Sequence, residues 1–144
     1  MADTMKFEIV TPAAPMLSED AELVIIPGAE GNFGVMPGHA PLLSSIRPGT
    51  IEIRDRTLKI LAQYFVEGGF AEVTPERCTV LAEEAVPLAK IDREEAESRL
   101  KRAHDALMVS ETLGVRTVAE RDVRAAEAMV AALDEYERSQ LKGH

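Results

Sequence analysis

The segment Gly28-Ala-Glu-Gly-Asn-Phe-Gly-Val-Met-Pro-Gly-His-Ala-Pro-Leu-Leu-Ser-Ser-Ile-Arg-Pro-Gly49 concentrates five of the chain's nine glycines and three of its eight prolines. Glycines at 28, 31, 34 and 38 permit positive φ or close backbone approach, while Pro37 and Pro41 fix φ and remove two amide donors. A segment so composed is built from tight turns and short extended pieces. The same glycines superficially suggest a phosphate cradle. That reading fails because a phosphate loop needs backbone amides converging at the start of a helix, usually with a Lys-Ser/Thr pair. Here prolines delete donors and no helical pattern follows.

The flanking sequence divides into two compositional halves. All eight prolines and seven of the nine glycines precede Leu88; only Gly114 and Gly143 follow it. Residues 1–87 carry 6 basic and 13 acidic groups, a net of −7, and residues 88–144 carry 10 and 12, a net of −2. The boundary falls near Pro87, so the expected units are 1–87 and 88–144.

In the first half, Met5 to Pro12 alternates polar Lys6 and Glu8 with apolar Phe7 and Ile9, the period of a half-buried strand. Pro12 and Pro15 are expected to break pairing. Leu23-Val24-Ile25-Ile26, closed by Pro27-Gly28, reads as a short buried strand. Thr50-Ile-Glu-Ile-Arg54 and Thr57-Leu-Lys-Ile60 alternate around Asp55-Arg56, which predicts a hairpin with Ile51, Ile53, Leu58 and Ile60 facing inward. Tyr64-Phe-Val66, Phe70-Ala-Glu-Val73 and Arg77-Cys-Thr-Val-Leu-Ala82 follow with turn signals between them. Strands so spaced indicate a sandwich or barrel. Cys78 shares a face with Val80 and Ala82 and reads as a buried small hydrophobe. Glu83-Glu84 reads as a solvated turn at the exit.

Beyond Pro87 the period changes. Asp92 with Glu95 resembles a capping box, and Ala96, Leu100, Ala103 and Leu107 recur at helical spacing, predicting a helix from about Arg93 to Met108. Val109 to Arg116 reads as a connector, and Thr117 with Glu120 as a second box. Val123, Ala126, Val130 and Leu133 then predict a helix from about Val118 to Gln140. Glu95 with Arg99, Glu97 with Lys101, Glu120 with Arg124 and Asp134 with Arg138 have the spacing of i,i+4 ion pairs, each worth about 0.2–0.5 kcal/mol. Ala103 and Ala106, facing Ala119, Ala125 and Ala126, allow close approach but bury little area. Such a hairpin is only marginally stable alone, which suits both a movable arm and a fixed two-helix cap.

Composition narrows the function. Net charge of −9 argues against nucleic acid and anionic membrane as direct ligands, and 4% aromatic content with no Trp argues against a base-stacking or carbohydrate-binding module. The single Cys78 excludes an internal disulfide, and His39, His104 and His144 stand far apart in sequence, so no metal-ligand spacing appears. No apolar run approaches the roughly 18 residues of a membrane span, and the first residues show neither signal nor transit composition. The expectation is a protein that acts in the compartment where it is made, without direct membrane insertion. No nucleophile, base and oxyanion donor fall into a recognisable pattern, so no catalysis by the chain itself is expected.

Glu30-Gly31 through Gly34, Pro37-Gly-His-Ala-Pro-Leu42 and Pro48-Gly49, together with Gly68-Gly69-Phe-Ala-Glu-Val73 and the alanine-rich hairpin, resemble the epsilon subunit of the rotary F-type ATP synthase. The resemblance implies a ten-stranded β-sandwich followed by an antiparallel two-helix hairpin. It also implies a non-catalytic rotor subunit that couples rotation of the membrane-embedded c-subunit ring to ATP synthesis. The implied partners are the gamma subunit, the c ring and, when the hairpin extends, the catalytic alpha/beta hexamer. The implied location is the cytoplasmic face of the bacterial inner membrane. Glu30, Gly31 and His39 match the family's rotor-contact region, although His39 reads equally as a hydrogen-bonded structural histidine. In many members the hairpin blocks ATP hydrolysis; Arg116, Arg121, Arg124 and Arg138 are then candidates to meet the hexamer, and a solvated helix face is the alternative.

One departure concerns nucleotide. Some members bind ATP on the hairpin through Ile/Leu-Asp-x-x-Arg-Ala, and here Ile91-Asp-Arg-Glu-Glu-Ala96 puts Glu95 in the arginine slot. A carboxylate repels a polyphosphate, so ATP binding is expected to be weak or absent. Two other classes remain open on the residues alone: a free-standing regulatory or adaptor module with a helical interaction arm, and a nucleotide-sensing protein.

Overall fold

A computed structural model describes residues 3–142; Met1, Ala2, Gly143 and the third histidine, His144, lie outside the described residues. The chain divides into two compact units, Met1–Pro87 and Leu88–His144.

The first unit contains, among its described residues, ten strands: β1 (Met5–Val10), β2 (Pro15–Ala21), β3 (Leu23–Gly28), β4 (Gly31–Val35), β5 (Leu42–Ile46), β6 (Gly49–Arg54), β7 (Ile60–Val66), β8 (Gly69–Val73), β9 (Arg77–Leu81) and β10 (Ala85–Pro87). Their order is β10-β7-β6-β3-β5-β8-β9-β1-β2, with β4 also paired to β3. The ladders are antiparallel except β1 with β9. β3 meets β5 only at Gly28 opposite Ile46, so the path folds there into two layers. Period-2 alternation turns one side of each layer inward. Phe7 and Ile9 of β1, Val24 and Ile26 of β3, Ile51 and Ile53 of β6, and Cys78 and Val80 of β9 join a single core. A sandwich results because each layer has one apolar face to bury.

Three details depart from the sequence reading. Pro15 does not end pairing; it opens β2 and lies opposite Val10 beyond a register shift, a place where a missing amide is tolerated. β2 is mostly exposed, so its Met-Leu-Ser-Glu-Asp run gave no alternating signal, and the short β10 was also unforeseen. Leu58 is 59% exposed and Ile60 38% exposed, not inward. The Asp55 carboxylate there accepts from the Thr57 amide (2.8 Å), the Thr57 hydroxyl (2.6 Å) and the Lys59 amide (3.0 Å). That Asx turn consumes residues 55–59 as a loop, with Leu58 at φ 71°, and β7 begins only at Ile60.

The second unit opens with a 3-10 turn, Leu88–Lys90, followed by helices α1 (Arg93–Met108) and α2 (Leu113–Lys142). Asp92 caps α1 by accepting from the Glu94 amide at 3.2 Å; Glu95 completes no capping box and instead meets Arg102 at 3.3 Å. α2 begins five residues before the expected Val118. Thr112 is the cap, its hydroxyl accepting from the Val115 amide at 3.2 Å and its carbonyl from the Arg116 amide at 2.9 Å. Thr117 is inside the helix, its hydroxyl donating to the Leu113 carbonyl at 2.8 Å. The helices pack through buried Ala96 and Ala103 of α1 and Ala119, Val123, Ala125, Ala126 and Leu133 of α2. Ala106 is exposed and takes no buried place in this seam. Glu120 pairs with Arg116, Asp134 with Arg93 and Arg138 with Glu135, not in the combinations expected from spacing alone.

Candidate interaction site

The opening glycine-rich segment becomes the β3–β4 hairpin, the loop to β5, and β5 itself. Gly28 lies opposite Gly31, so Ala29 and Glu30 form the hairpin tip. Gly31 has φ 143°, a conformation that a residue with a Cβ adopts only with strain. Glu30 is exposed at this tip. The tip is tied to β5: the Ala29 amide donates to the Ser45 carbonyl at 2.9 Å and the Arg47 amide to the Pro27 carbonyl at 2.9 Å. The Arg47 guanidinium adds bonds to the Gly28 carbonyl (2.5 Å) and the Asn32 side-chain oxygen (2.6 Å).

His39 lies on the next connection, between β4 and β5, and is half-buried. Its Nδ1 stands 2.7 Å from the Ala40 carbonyl. A carbonyl only accepts, so Nδ1 carries the hydrogen and Nε2 is left to face other groups. The His39 amide donates to the Met36 carbonyl at 3.1 Å, and the preceding Gly38 amide donates to the Pro75 carbonyl at 2.8 Å. This loop is therefore fixed by backbone bonds, one within it and one to the connection between β8 and β9.

On α2, Arg116, Arg121, Arg124 and Arg138 are exposed. At 100° per residue they span an arc of about 140°, away from Ala119, Ala126 and Leu133. Arg116 meets Glu120 at 3.2 Å and Arg138 meets Glu135 at 3.4 Å. A residue that the sequence reading left without a role holds the other end of the hairpin. Arg93 joins Glu137 through two bonds (2.9 and 3.1 Å), Asp134 at 2.7 Å and Glu97 at 3.1 Å. Glu137, then Asp134 and Glu97, raise its pKa further above the ordinary guanidinium value. The missed signal was pairing across 41 and 44 residues, which no i,i+4 search detects.

Little here points to chemistry. Cys78 is buried and burial pushes its thiol up to about 12. Among the described residues no group of three or more His, Cys, Asp or Glu side chains is placed to hold a metal ion. A cavity of about 530 Å³ beside the hairpin turn is lined by Ala106, Val115, Val118 and Asp122 among others, without a cluster of basic side chains. Among the described residues no helix is long and apolar enough to cross a membrane.

A two-layer β unit whose turns are tied by backbone bonds, followed by a two-helix unit with exposed arginines, defines a β-sandwich protein with a helical hairpin. Residues 4–88 match the family model of the ATP synthase delta/epsilon chain β-sandwich domain. The ATP synthase epsilon chain of Rhodospirillum rubrum is 46% identical over 132 residues, covering 92% of this chain and 98% of that one. That of Paramagnetospirillum magneticum is 45% identical over 133 residues, covering 92% and 99%. A chain in the Euglena gracilis mitochondrial ATP synthase structure containing OSCP, F1 and the c-ring superposes with a TM-score of 0.79 at 28% identity, covering 92% of this chain and 83% of that one. A chain of the Tetrahymena thermophila central stalk and c-ring shares the fold, with a TM-score of 0.64 at 16% identity, covering 90% and 96%. The chain belongs to the ATP synthase epsilon chain family, whose members are non-catalytic subunits of that complex.

Proposed function

We propose that this chain is a rotor subunit of the proton-translocating ATP synthase. Its β unit meets the gamma subunit and the c ring, using the Glu30-Gly31 tip and the His39 loop, and couples ring rotation to ATP synthesis. It works as a peripheral component on the cytoplasmic face of the bacterial inner membrane. The observation that carries the reading is that the likeness to epsilon chains runs through both units and nearly the whole length of those relatives.

The helical unit is the regulatory part of the same proposal. Its seam buries mostly alanines and its far end is joined by one arginine cluster, so opening it disrupts little apolar surface. An opened arm brings Arg116, Arg121, Arg124 and Arg138 to acidic segments of the alpha/beta hexamer and brakes hydrolysis. ATP binding by this unit is weak or absent: Asp92 is engaged as a helix cap, and Glu95 presents a carboxylate where a polyphosphate needs a cation. Isothermal titration of ATP into the whole chain is expected to yield no tight binding.

The test reconstitutes the soluble catalytic complex with the full chain or with a chain ending at Leu88. Both should bind gamma. Faster hydrolysis with the shorter chain makes the helices a brake; equal rates assign coupling to the β unit and end the brake. Failure of both chains to bind gamma overturns the rotor reading.

A further inference from the structure

Arg47 closes the β3–β4 hairpin from outside it. The hairpin tip is two residues, Ala29 and Glu30; once the ladder ends at Gly28 and Gly31, the Ala29 amide bond to the Ser45 carbonyl ties the first of them to β5, and Glu30 extends beyond it. The guanidinium spans the base of that tip. Nη1 bonds the Gly28 carbonyl on the β3 side at 2.5 Å and Nη2 bonds the Asn32 side chain on the β4 side at 2.6 Å. The backbone of the same residue is itself fixed by its amide bond to Pro27, and Pro48 follows it, restricting its φ and ψ. A planar guanidinium fork reaching two acceptors at a set separation is a geometry that lysine cannot reproduce.

We propose that Arg47 is a positioning residue for the rotor contact: it sets the orientation of the Glu30-Gly31 tip so that Glu30 engages a polar or basic loop of the ring subunits. This rests on the rotor reading above. Arg47 makes no contact with the ring itself in this assignment. It removes freedom from the tip before binding, so its loss weakens association by making the partner order the tip.

The experiment uses the whole chain reconstituted into the ring-containing synthase and reads two quantities, affinity for the complex and ATP-driven proton pumping relative to hydrolysis. The variants are Arg47→Met, Arg47→Lys, Glu30→Arg and the double variant Glu30→Arg with Arg47→Met. Amide hydrogen exchange at Ala29, Glu30 and Gly31 reports tip order in the free chain. The expected result is that Arg47→Met speeds exchange at those amides and weakens association about tenfold, with Arg47→Lys between it and the native chain. In the double variant Arg47→Met adds nothing to the loss from Glu30→Arg, whereas a merely structural arginine would add its full effect. Asn32→Ala, which removes one of the two anchors at an exposed side chain, serves as the second variant if Arg47→Met does not fold, and is expected to act in the same direction more weakly. If Glu30→Arg weakens association while the Arg47 and Asn32 variants do not, the positioning role is overturned and the rotor contact stands. If none of the variants weakens it, the rotor contact at this tip is overturned as well.

Discussion

Leu133→Ala tests whether the helical unit is held together as weakly as its composition implies. Leu133 is the largest buried side chain on either helix, only 3% exposed, and the other buried side chains of the two helices are Val123 and alanines. Truncating a buried leucine costs about 2–5 kcal/mol. Two helices meeting through small side chains can close part of the void, and alanine is the better helix former, so about 2–3 kcal/mol is expected. With an unfolding entropy of about 2.1 cal/mol/K per residue over residues 88–144, that is a fall in Tm of roughly 15–25 °C for this unit. The chain carries its own reporters, since it has no Trp and its two tyrosines divide between the units, Tyr64 in β7 and Tyr136 in α2. Circular dichroism at the helical band follows the hairpin, and tyrosine fluorescence in a Tyr136→Phe background follows the sandwich. The helical transition should move and the sandwich transition should stay. Val118→Ala, at a side chain 52% exposed, should change stability by less than about 0.5 kcal/mol. An unmoved helical transition in Leu133→Ala, or an equal shift of both transitions, would refute the reasoning.

Three further outcomes are expected. Gly69→Ala would set its Cβ 2.0 Å from the Leu81 carbonyl oxygen at φ 133°, forcing β8 from β9; a loss of more than about 3 kcal/mol in urea unfolding is expected, and a soluble variant of native stability would contradict it. The Thr57 hydroxyl, aided by the backbone amides of Lys59 and Thr57, holds the Asp55 carboxyl below its ordinary value. A lowered folded pKa means its contribution is complete above the unfolded value of 3.8 and disappears as pH falls through the folded value; an NMR titration should place its midpoint below 3.8, and Asp55→Asn should abolish this part of the acid dependence. Cys78, fully buried with its thiol pushed up to about 12, should resist a thiol reagent at pH 8 in the native chain and react on unfolding; rapid native labelling would show that β9 opens.

Legibility in the sequence followed the reach of each interaction. The first helix was readable to the residue because its cap, Asp92, and its stripe of Ala96, Leu100, Ala103 and Leu107 are adjacent in sequence and repeat one local period. The start of the second was not, because Thr112 and Thr117 are both plausible caps and only the placement of Leu113 and Gly114 in the first turn decides between them. Inward residues of β1, β6 and β9 were visible in alternation, whereas β2, an exposed edge strand of mixed polarity, carries no such signal. Glu30, Gly31 and His39 could be named from their segment, but the bonds that orient them come from Ser45, Ala40 and Arg47.

By itself the sequence determined the division near Pro87, the β and helical character of the two halves, the buried face of most strands and the family. The family rests on the resemblance carried by the motif from Gly28 to Gly49; the other properties depend on composition and on periods of 2 and 3.6 residues, which any window of the chain displays. Tertiary structure alone decided that the strands fold into two layers at Gly28 and Ile46, that Arg93 joins the start of α1 to the end of α2, and that Arg47 braces a tip 19 residues earlier. Each brings together residues distant along the chain, and no local pattern records which distant carbonyl or carboxylate a guanidinium will reach.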